Sequence, residues 1–371
     1  MSDAPVLGIL GGGQLAQMMA RAARPLGISC IAIDPNPDAC AASDAELWVN
    51  AYDDTAALQR LADRADAVTF EFENVPASSL EILAEKVRIA PSAEALRVSS
   101  DRIVEKRFFD STGVAIGPYR EVSSADELRA AVRELGLPAV VKSCSGGYDG
   151  KGQRVLRTEA DAQAAADWIE TTRCIYESFV SFDRELSIVA CRSGDGDFVT
   201  YPLAENTHEQ GMLVRSIAPA DVTDETETQA RRAARKIAER LGYVGVFAIE
   251  FFDVGGRLLA NEMAPRVHNT GHWTIEGAGA SQFENHVRAV MGLGLGPTRA
   301  IGHSEMLNII GKRPGAGVLE GIEGAHLHDY AKAERRGRKI GHITVTDPDA
   351  GRCREKAEVI RGRLRNELPV D

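Results

Sequence analysis

Two glutamates, Glu250 and Glu262, lie among apolar residues in segments joined by a glycine turn, FAIEFF at 247–252 and LLANE at 258–262. A hairpin centred on Gly256 would place both carboxylates directly opposite each other on one face, where like charges destabilise a sheet. Such oxygen ligands suit Mg²⁺ shared with nucleotide phosphates, because this small ion takes only one or two carboxylates from protein. The pair therefore predicts a Mg²⁺ site beside Asn261. A one-residue register shift would separate the pair, and two glutamates on a solvated sheet face are the alternative to a metal site.

Cationic side chains follow Glu262 in the segment MAPRVHNTGH at 263–272. Arg266 can bind a carboxylate or phosphate with two parallel hydrogen bonds, and His268 can donate to charge that develops during acyl transfer. His268 and His272 have the spacing of a helical zinc pair, but the residues between them form helix poorly and no third ligand is evident. We interpret the loop as an anion site, with a structural His268 as the alternative.

A glycine-rich segment, SCSGGYDGKGQ, occupies residues 143–153. It does not match a P-loop, because Ser145 stands where glycine is needed and Gly152 stands where a hydroxyl is needed. The segment instead predicts a hairpin whose N–H groups and Lys151 close over a polyphosphate, with Lys142 on the preceding strand. A purely structural glycine hairpin is the alternative.

The N-terminal segment VLGILGGGQLA at 6–16 predicts a buried strand, a glycine turn and a helix. Its GxGxxA pattern begins at Gly11, and Asp34 stands near the expected ribose-binding acid of a dinucleotide site. A helix N-terminus also accepts any other phosphate. Three hypotheses follow: a dinucleotide, a purely structural turn, or a phosphorylated substrate at Gly13, Gln14 and Leu15, which we favour.

These residues need an α/β and α+β scaffold to hold them. Strand-like and helical runs alternate up to residue 100, which predicts an open parallel sheet covered by helices. Capping residues before residues 102 and 125, the glycine hairpin and the strands at 246–262 predict a central domain. A turn-rich, β-like segment with a basic cluster ends the chain. We predict three domains, at 1–100, 101–297 and 298–371.

Charge, cysteine spacing and the lack of long apolar runs disfavour several classes of function. The 371 residues carry 43 basic and 54 acidic side chains, a net charge of -11, which disfavours a nucleic-acid partner. The six cysteines lack metal-binding spacing, so we expect neither a zinc site nor a disulfide framework. No signal peptide and no apolar run of membrane-spanning length is apparent, so we expect a cytoplasmic protein without a membrane partner.

The order of these parts resembles the ATP-grasp superfamily, with its three-domain architecture of an open parallel-sheet domain, an ATP-grasp domain and a small β-rich C-terminal domain. Five segments are similar to the 5-(carboxyamino)imidazole ribonucleotide synthase family: GILGGGQL at 8–15, TFEFENVP at 69–76, GGYDGKGQ at 146–153, NEMAPRVHNTGHW at 261–273 and GRKIGH at 337–342. They span nearly the whole chain.

The resemblance implies a set of site residues. ATP would contact Arg102, Lys142, Gly147, Tyr148, Asp149, Gly150, Lys151, Gly152, Gln153, Glu177, Val180, Glu185, His208, Asn261 and Glu262. The ribonucleotide or the activated carboxyl group would contact Glu73, Tyr148, Asp149, Arg266, His268, Asn269, Lys332 and Arg338. Glu250 and Glu262 would hold Mg²⁺, and Lys106 belongs to the same helix motif as Arg102 without a defined role.

The resemblance also implies an ATP-dependent carbon–nitrogen ligase of purine biosynthesis that is a homodimer. ATP, bicarbonate and 5-aminoimidazole ribonucleotide would give the carboxyamino product through carboxyphosphate. We expect Lys142, Asp149, Arg266 and His268 to be catalytic, with the 146–153 hairpin as a lid. Another ATP-grasp ligase acting on a different phosphorylated acceptor is the nearest alternative, and an NAD-dependent dehydrogenase is a more distant one.

Overall fold

The computed structural model describes residues 4–146 and 152–367 of the chain. Its strands are β1 (Val6–Leu10), β2 (Ser29–Ile33), β3 (Glu46–Trp48), β4 (Ala67–Phe70), β5 (Arg88–Ile89), β6 (Tyr119–Val122), β7 (Ala139–Ser143), β8 (Gln153–Leu156), β9 (Cys174–Ser178), β10 (Arg184–Arg192), β11 (Phe198–Thr200), β12 (Ala204–Glu209), β13 (Met212–Ala218), β14 (Gly245–Val254), β15 (Arg257–Ala264), β16 (His303–Ile310), β17 (Ala325–Asp329) and β18 (Lys339–Asp347). Its α-helices are α1 (Gln14–Ala23), α2 (Thr55–Arg64), α3 (Ala77–Ala84), α4 (Ala93–Ser99), α5 (Arg102–Thr112), α6 (Ala125–Leu135), α7 (Glu159–Thr171), α8 (Asp224–Arg240), α9 (Thr274–Gly277), α10 (Gln282–Met291) and α11 (Ala350–Glu367).

The N-terminal sheet is parallel, as the alternating pattern predicts, with the order β3-β2-β1-β4-β5. Its central strands are apolar and buried along nearly their whole length, which is typical of a sheet covered on both faces. The carboxyl ends of adjacent parallel strands meet at one edge, so the glycine turn after β1 and the acidic segment after β4 lie side by side.

The central region contains a small antiparallel sheet with the order β6-β9-β7-β8. Strands β7 and β8 form the predicted hairpin, and Lys142 pairs with Gln153 at the end next to the connecting loop. The predicted helix starts are confirmed, since the Asp101 side chain caps α5 and the Ser124 side chain caps α6. Residues 147–151, the tip of the predicted lid, lie outside the described residues.

The largest sheet has nine strands, with the order β15-β14-β10-β12-β13-β16-β18-β17 and with β11 paired to β10. Helices α5 and α8 pack against it over a buried apolar cluster. Strand β13 pairs with β16, so one sheet continues past residue 297 into the C-terminal segment. The domain limits therefore stay a prediction. No helix within 4–146 or 152–367 has the length and apolar character needed to cross a membrane.

Candidate active site

A cleft of about 1090 Å³ lies between the three sheets and collects side chains from all parts of the chain. The predicted site residues that line it are Gln14, Leu15, Glu73, Arg102, Lys142, Gln153, Glu185, His208, Glu250, Asn261, Glu262, Arg266, His268, Asn269, Lys332 and Arg338. Gly13, Gly152, Glu177 and Val180 are absent from this lining. Gly147, Tyr148, Asp149, Gly150 and Lys151 lie outside the described residues.

The β14–β15 hairpin brings Glu250 opposite Glu262, as the sequence predicts, but not through the predicted turn. Val254 pairs with Arg257, so the turn consists of two glycines with positive φ and is not centred on Gly256. Regular pairing from this turn would place Glu250 opposite Asn261. A β-bulge after Ala260 adds one residue to β15 and restores the pairing of the two glutamates.

The bulge also changes which side chains reach the cleft. Successive residues of a regular strand point to opposite faces, yet Asn261 and Glu262 both line the cleft together with Glu250. The Oδ1 atom of Asn261 is buried and has no hydrogen-bond partner among the described residues. Two facing carboxylates beside an unsatisfied amide oxygen form an all-oxygen donor set, which fits Mg²⁺ and not zinc. Within the described residues, no cluster of three or more His, Cys, Asp or Glu forms a further metal site.

The two glutamates differ in their electrostatic surroundings. Burial and the charge of Glu262 raise the pKa of Glu250 above its usual range. Burial acts in the same direction on Glu262, but Arg102, whose Nη1 lies 2.8 Å from Oε2, and Lys142 lower the pKa of Glu262 below its usual value. Glu262 is therefore the more readily ionised member of the pair, and a bound cation would favour ionisation of Glu250 as well.

Glu177 holds the strand lysine of the site. Its Oε2 lies 2.7 Å from Nζ of Lys142, and its Oε1 lies 2.9 Å from Nζ of Lys106. Burial opposes the charge of Glu177, but the two lysines hold the pKa of this carboxyl well below its usual range. Glu177 itself is absent from the cleft lining and is engaged with Lys106 and with Lys142, which does line the cleft, so its predicted contact with ATP stays a prediction.

His208 and Glu185 form a hydrogen-bonded pair on the opposite wall. Nδ1 of His208 lies 2.5 Å from Oε2 of Glu185, and both side chains are largely buried. Burial disfavours the imidazolium, but the neighbouring carboxylates raise the pKa of His208 above its usual value. The pair presents a carboxylate and an imidazole ring at the cleft surface, suited to hydroxyl groups and phosphate oxygens.

His268 is a neutral hydrogen-bond donor in this geometry. Nδ1 of His268 lies 3.5 Å from the backbone nitrogen and 3.0 Å from Oγ1 of Thr270. In the tautomer in which Nδ1 accepts from these groups, the ring proton lies on Nε2, 3.7 Å from Oε1 of Glu250. Burial and the charge of Arg266 lower the pKa of His268 to about 3. The side chain can therefore donate to a developing negative charge at neutral pH without itself carrying charge.

Gln282 on α10 fixes the His268 backbone. Its Oε1 accepts the His268 N–H at 2.9 Å, and its Nε2 donates to the His268 carbonyl at 2.6 Å. Gln282 is fully buried, and a Cβ on Gly271 would come within 2.7 Å of its Oε1. Sequence reasoning missed Gln282, because nothing local to residue 282 indicates which backbone its amide reaches.

The substrate side of the cleft is built by contacts between segments distant in sequence. Nη2 of Arg266 lies 2.8 Å from Oε1 of Glu73, while Nε of Arg266 is buried with no partner among the described residues. The Lys332 ammonium donates to Oε1 of Gln14. The predicted substrate residues thus meet, although they come from the first, central and last parts of the chain.

The glycine turn differs from the prediction. The Glu71 carboxylate accepts the N–H groups of Gly13 and Ala16, so a protein carboxylate already occupies the N-terminus of α1. Asp34 accepts the Gly12 N–H and the Tyr52 hydroxyl, both at 2.8 Å. A phosphate would reach the Gly13 N–H only by displacing Glu71, and Asp34 is not open to a ribose. Adjacency of β1 and β4 was the signal that could have revealed Glu71.

Three family models match successive regions of the chain. A ribonucleotide synthetase preATP-grasp domain matches residues 5–100, an ATP-grasp domain matches 107–283, and a phosphoribosylaminoimidazole carboxylase C-terminal domain matches 304–356. These matches agree with the predicted architecture.

Curated relatives and solved structures are similar over nearly the full length. The N5-carboxyaminoimidazole ribonucleotide synthase of Pseudomonas aeruginosa is 48% identical over 351 residues, 95% of each chain. The synthetase structure from Thermus thermophilus is 46% identical, with a TM-score of 0.93, covering 98% of this chain and 100% of that one. The Aspergillus clavatus enzyme, solved in complex with ADP and 5-aminoimidazole ribonucleotide, is 29% identical, with a TM-score of 0.91 over 99% and 100%.

Proposed function

The chain belongs to the N5-carboxyaminoimidazole ribonucleotide synthase family, and from that premise we propose that it carboxylates 5-aminoimidazole ribonucleotide with ATP and bicarbonate. ADP, phosphate and the N5-carboxyamino ribonucleotide are the products. The observation that carries the proposal is that one cleft contains both the glutamate pair of β14–β15 and the Gln14–Lys332 contact. Arg266 and His268 line the same cleft.

The nucleotide-binding part of the site contains cationic side chains that protein carboxylates already orient before ATP binds. Lys142 is oriented by Glu177, and Arg102 is oriented by Glu262, so both cations are positioned for the phosphates of ATP. Mg²⁺, held by Glu250 and Glu262, would offset the charge of the transferring phosphoryl group. Glu185 and His208 are suited to the nucleotide's hydroxyl and phosphate oxygens.

The acyl-transfer part of the site, Arg266 and His268, lies next to the candidate metal ligands. Phosphorylation of bicarbonate gives carboxyphosphate, a mixed anhydride that water would destroy, so a closed site is required. Arg266 keeps an unsatisfied buried Nε and is suited to bind this anion, while the Nε2–H of His268 can donate to the oxygen that gains charge as the amine attacks. Asp149 as proton acceptor, Tyr148 as a substrate contact and the 146–153 lid stay predictions.

The ribonucleotide part of the site keeps Gln14 from the glycine-turn hypothesis but does not use the Gly13 N–H. Because Glu71 takes the Gly13 N–H, we propose that the 5′-phosphate is bound by Lys332 and Arg338, with Gln14 completing the contact. Both cations lie at the cleft surface in an otherwise acidic protein. The Glu73–Arg266 pair would then separate the phosphate from the reacting amine.

The test is ADP release by purified protein with Mg-ATP and bicarbonate, with and without 5-aminoimidazole ribonucleotide. Strong stimulation by the ribonucleotide is expected, together with incorporation of labelled bicarbonate into an acid-labile product. Lys142→Met is the matched inactive control, because it removes the phosphate-binding charge and keeps the stem of the side chain. Release of ADP without stimulation, with active substrate and folded protein verified, would redirect the assignment to an ATP-grasp ligase with another phosphorylated acceptor. The proposed homodimer is checked by sedimentation equilibrium.

A further inference from the structure

Strand β15 lies at the edge of the nine-stranded sheet, and α5 covers that edge. Three α5 side chains at positions i, i+3 and i+4, Arg102, Glu105 and Lys106, share one face of the helix. All three contact the short stretch of β15 that contains the bulge, residues 260–263. At Ala260 the backbone of residues 115–116 forms a short parallel bridge with this edge, whereas at residues 261–263 side chains of α5 make hydrogen bonds that a further strand would otherwise supply.

Two of these contacts are to the β15 backbone. Oε1 of Glu105 accepts the N–H of Met263 at 2.6 Å, and Nζ of Lys106 donates to the carbonyl of Asn261 at 2.8 Å. These groups flank Glu262, the metal-ligand candidate. A bulge leaves the extra residue outside the regular ladder, so its backbone groups need partners from elsewhere. Lys106 satisfies the carbonyl of the extra residue, Asn261, and on the other side of Glu262 Glu105 accepts the N–H of Met263, the first residue paired again with β14 beyond Glu262.

The same two residues connect the bulge to the rest of the phosphate site. Lys106 also pairs with Glu177, which orients Lys142, so one lysine links the β15 backbone to the cation of β7. Glu105 and Lys106 are 2% and 4% exposed, and burying a carboxyl or an ammonium group this deeply is costly unless the group is hydrogen-bonded. Local packing alone would be achieved more cheaply by apolar residues of similar volume.

We propose that Glu105 and Lys106 are positioning residues that hold the bulge at Asn261, so that Asn261 and Glu262 both face Glu250 across the metal site. The inference rests on the proposed function, in which this oxygen set binds Mg²⁺ with ATP. Without the contacts of Glu105 and Lys106, β15 would relax toward regular pairing, in which neighbouring side chains alternate between the two faces. The side chains of Asn261 and Glu262 would then no longer share the face of Glu250.

Glu105→Leu removes the acceptor of the Met263 N–H. Glu105→Gln should restore the contact, because the glutamine Oε1 can still accept this N–H. Glu305→Leu is the matched control, since Glu305 is also 2% exposed and is paired with Arg215 outside the cleft lining. Two readouts are needed. Hydrogen exchange of metal-free protein reports the amides of residues 260–264, and titration calorimetry reports the affinity for Mg-ATP.

In Glu105→Leu we expect faster exchange at Met263 and Mg-ATP binding at least about tenfold weaker, from the loss of a hydrogen bond to a carboxyl group. Glu105→Gln should recover most of that affinity, and Glu305→Leu should keep it even if its melting temperature falls equally. Wild-type affinity in folded Glu105→Leu, or equal impairment of Glu105→Gln and Glu105→Leu, would overturn the proposal. Because both readouts precede turnover, failure of ribonucleotide stimulation in the wild-type protein would leave this test intact.

Discussion

Replacing Glu250 with glutamine should stabilise the metal-free protein while abolishing its Mg²⁺-dependent chemistry. Glu250 lies directly opposite Glu262, and directly opposite Cβ atoms are about 5 Å apart. Two unit charges at roughly 5 Å in an effective dielectric constant of about 20 repel by about 3 kcal/mol. Glu262 has 38% of its side chain exposed, so solvent screening reduces the expected gain in unfolding free energy to about 1–2 kcal/mol.

The assay is urea unfolding of wild-type protein and Glu250→Gln at pH 8 without metal, repeated with Mg-ATP. Because the pKa of Glu250 is raised in the folded state, by burial and by the charge of Glu262, its destabilising effect grows as pH rises above the ordinary value of 4.5. The difference between the two proteins should therefore be absent below about pH 4.5 and largest at alkaline pH. With Mg-ATP, only the wild-type protein should gain stability.

Glu177→Gln is the opposing control. The pKa of Glu177 is lowered in spite of burial because Lys142 and Lys106 stabilise its charge, so removal of that charge should destabilise the fold by about 3 kcal/mol. Equal or lower stability of Glu250→Gln at pH 8, with Glu177→Gln destabilised as expected, would refute the reasoning about the carboxylate pair.

Three further predictions follow from single contacts. Burial lowers the pKa of His286 to about 4, so the unfolding free energy should fall by about 3 kcal/mol between pH 6.5 and 4. Urea unfolding of His286→Gln should show a flatter pH profile, and an unchanged profile would contradict this. Gln282→Leu should lower kcat by about tenfold with little change in KM for ATP, measured by ADP release, because the His268 backbone loses two hydrogen bonds; an unchanged kcat would exclude the positioning role. Lys332→Met should raise KM for the ribonucleotide about tenfold at constant KM for ATP, whereas an increase in both would place Lys332 in a general structural role.

Local sequence patterns predicted most of the elements and much of the cleft. Apolar runs and capping residues identified β1, α5 and α6, because strand burial and helix starts depend on residues a few positions apart. The motifs carried by family resemblance supplied many of the charged and amide side chains of the cleft lining, including Glu73, Asn261, Glu262, Arg266 and His268. The opposing glutamates were predicted correctly even though the predicted turn was wrong, since the bulge compensates for the shorter turn.

The remaining site depends on contacts that no local pattern encodes. Whether the N-terminus of α1 binds a substrate phosphate or a protein carboxylate is decided by Glu71, 58 residues from Gly13, because β4 lies beside β1. The orientation of His268 depends on Gln282, and the bulge in β15 depends on side chains of α5 more than 150 residues away. A hydrogen bond requires an atom within about 3 Å, and only the packed tertiary structure brings such distant groups to that distance.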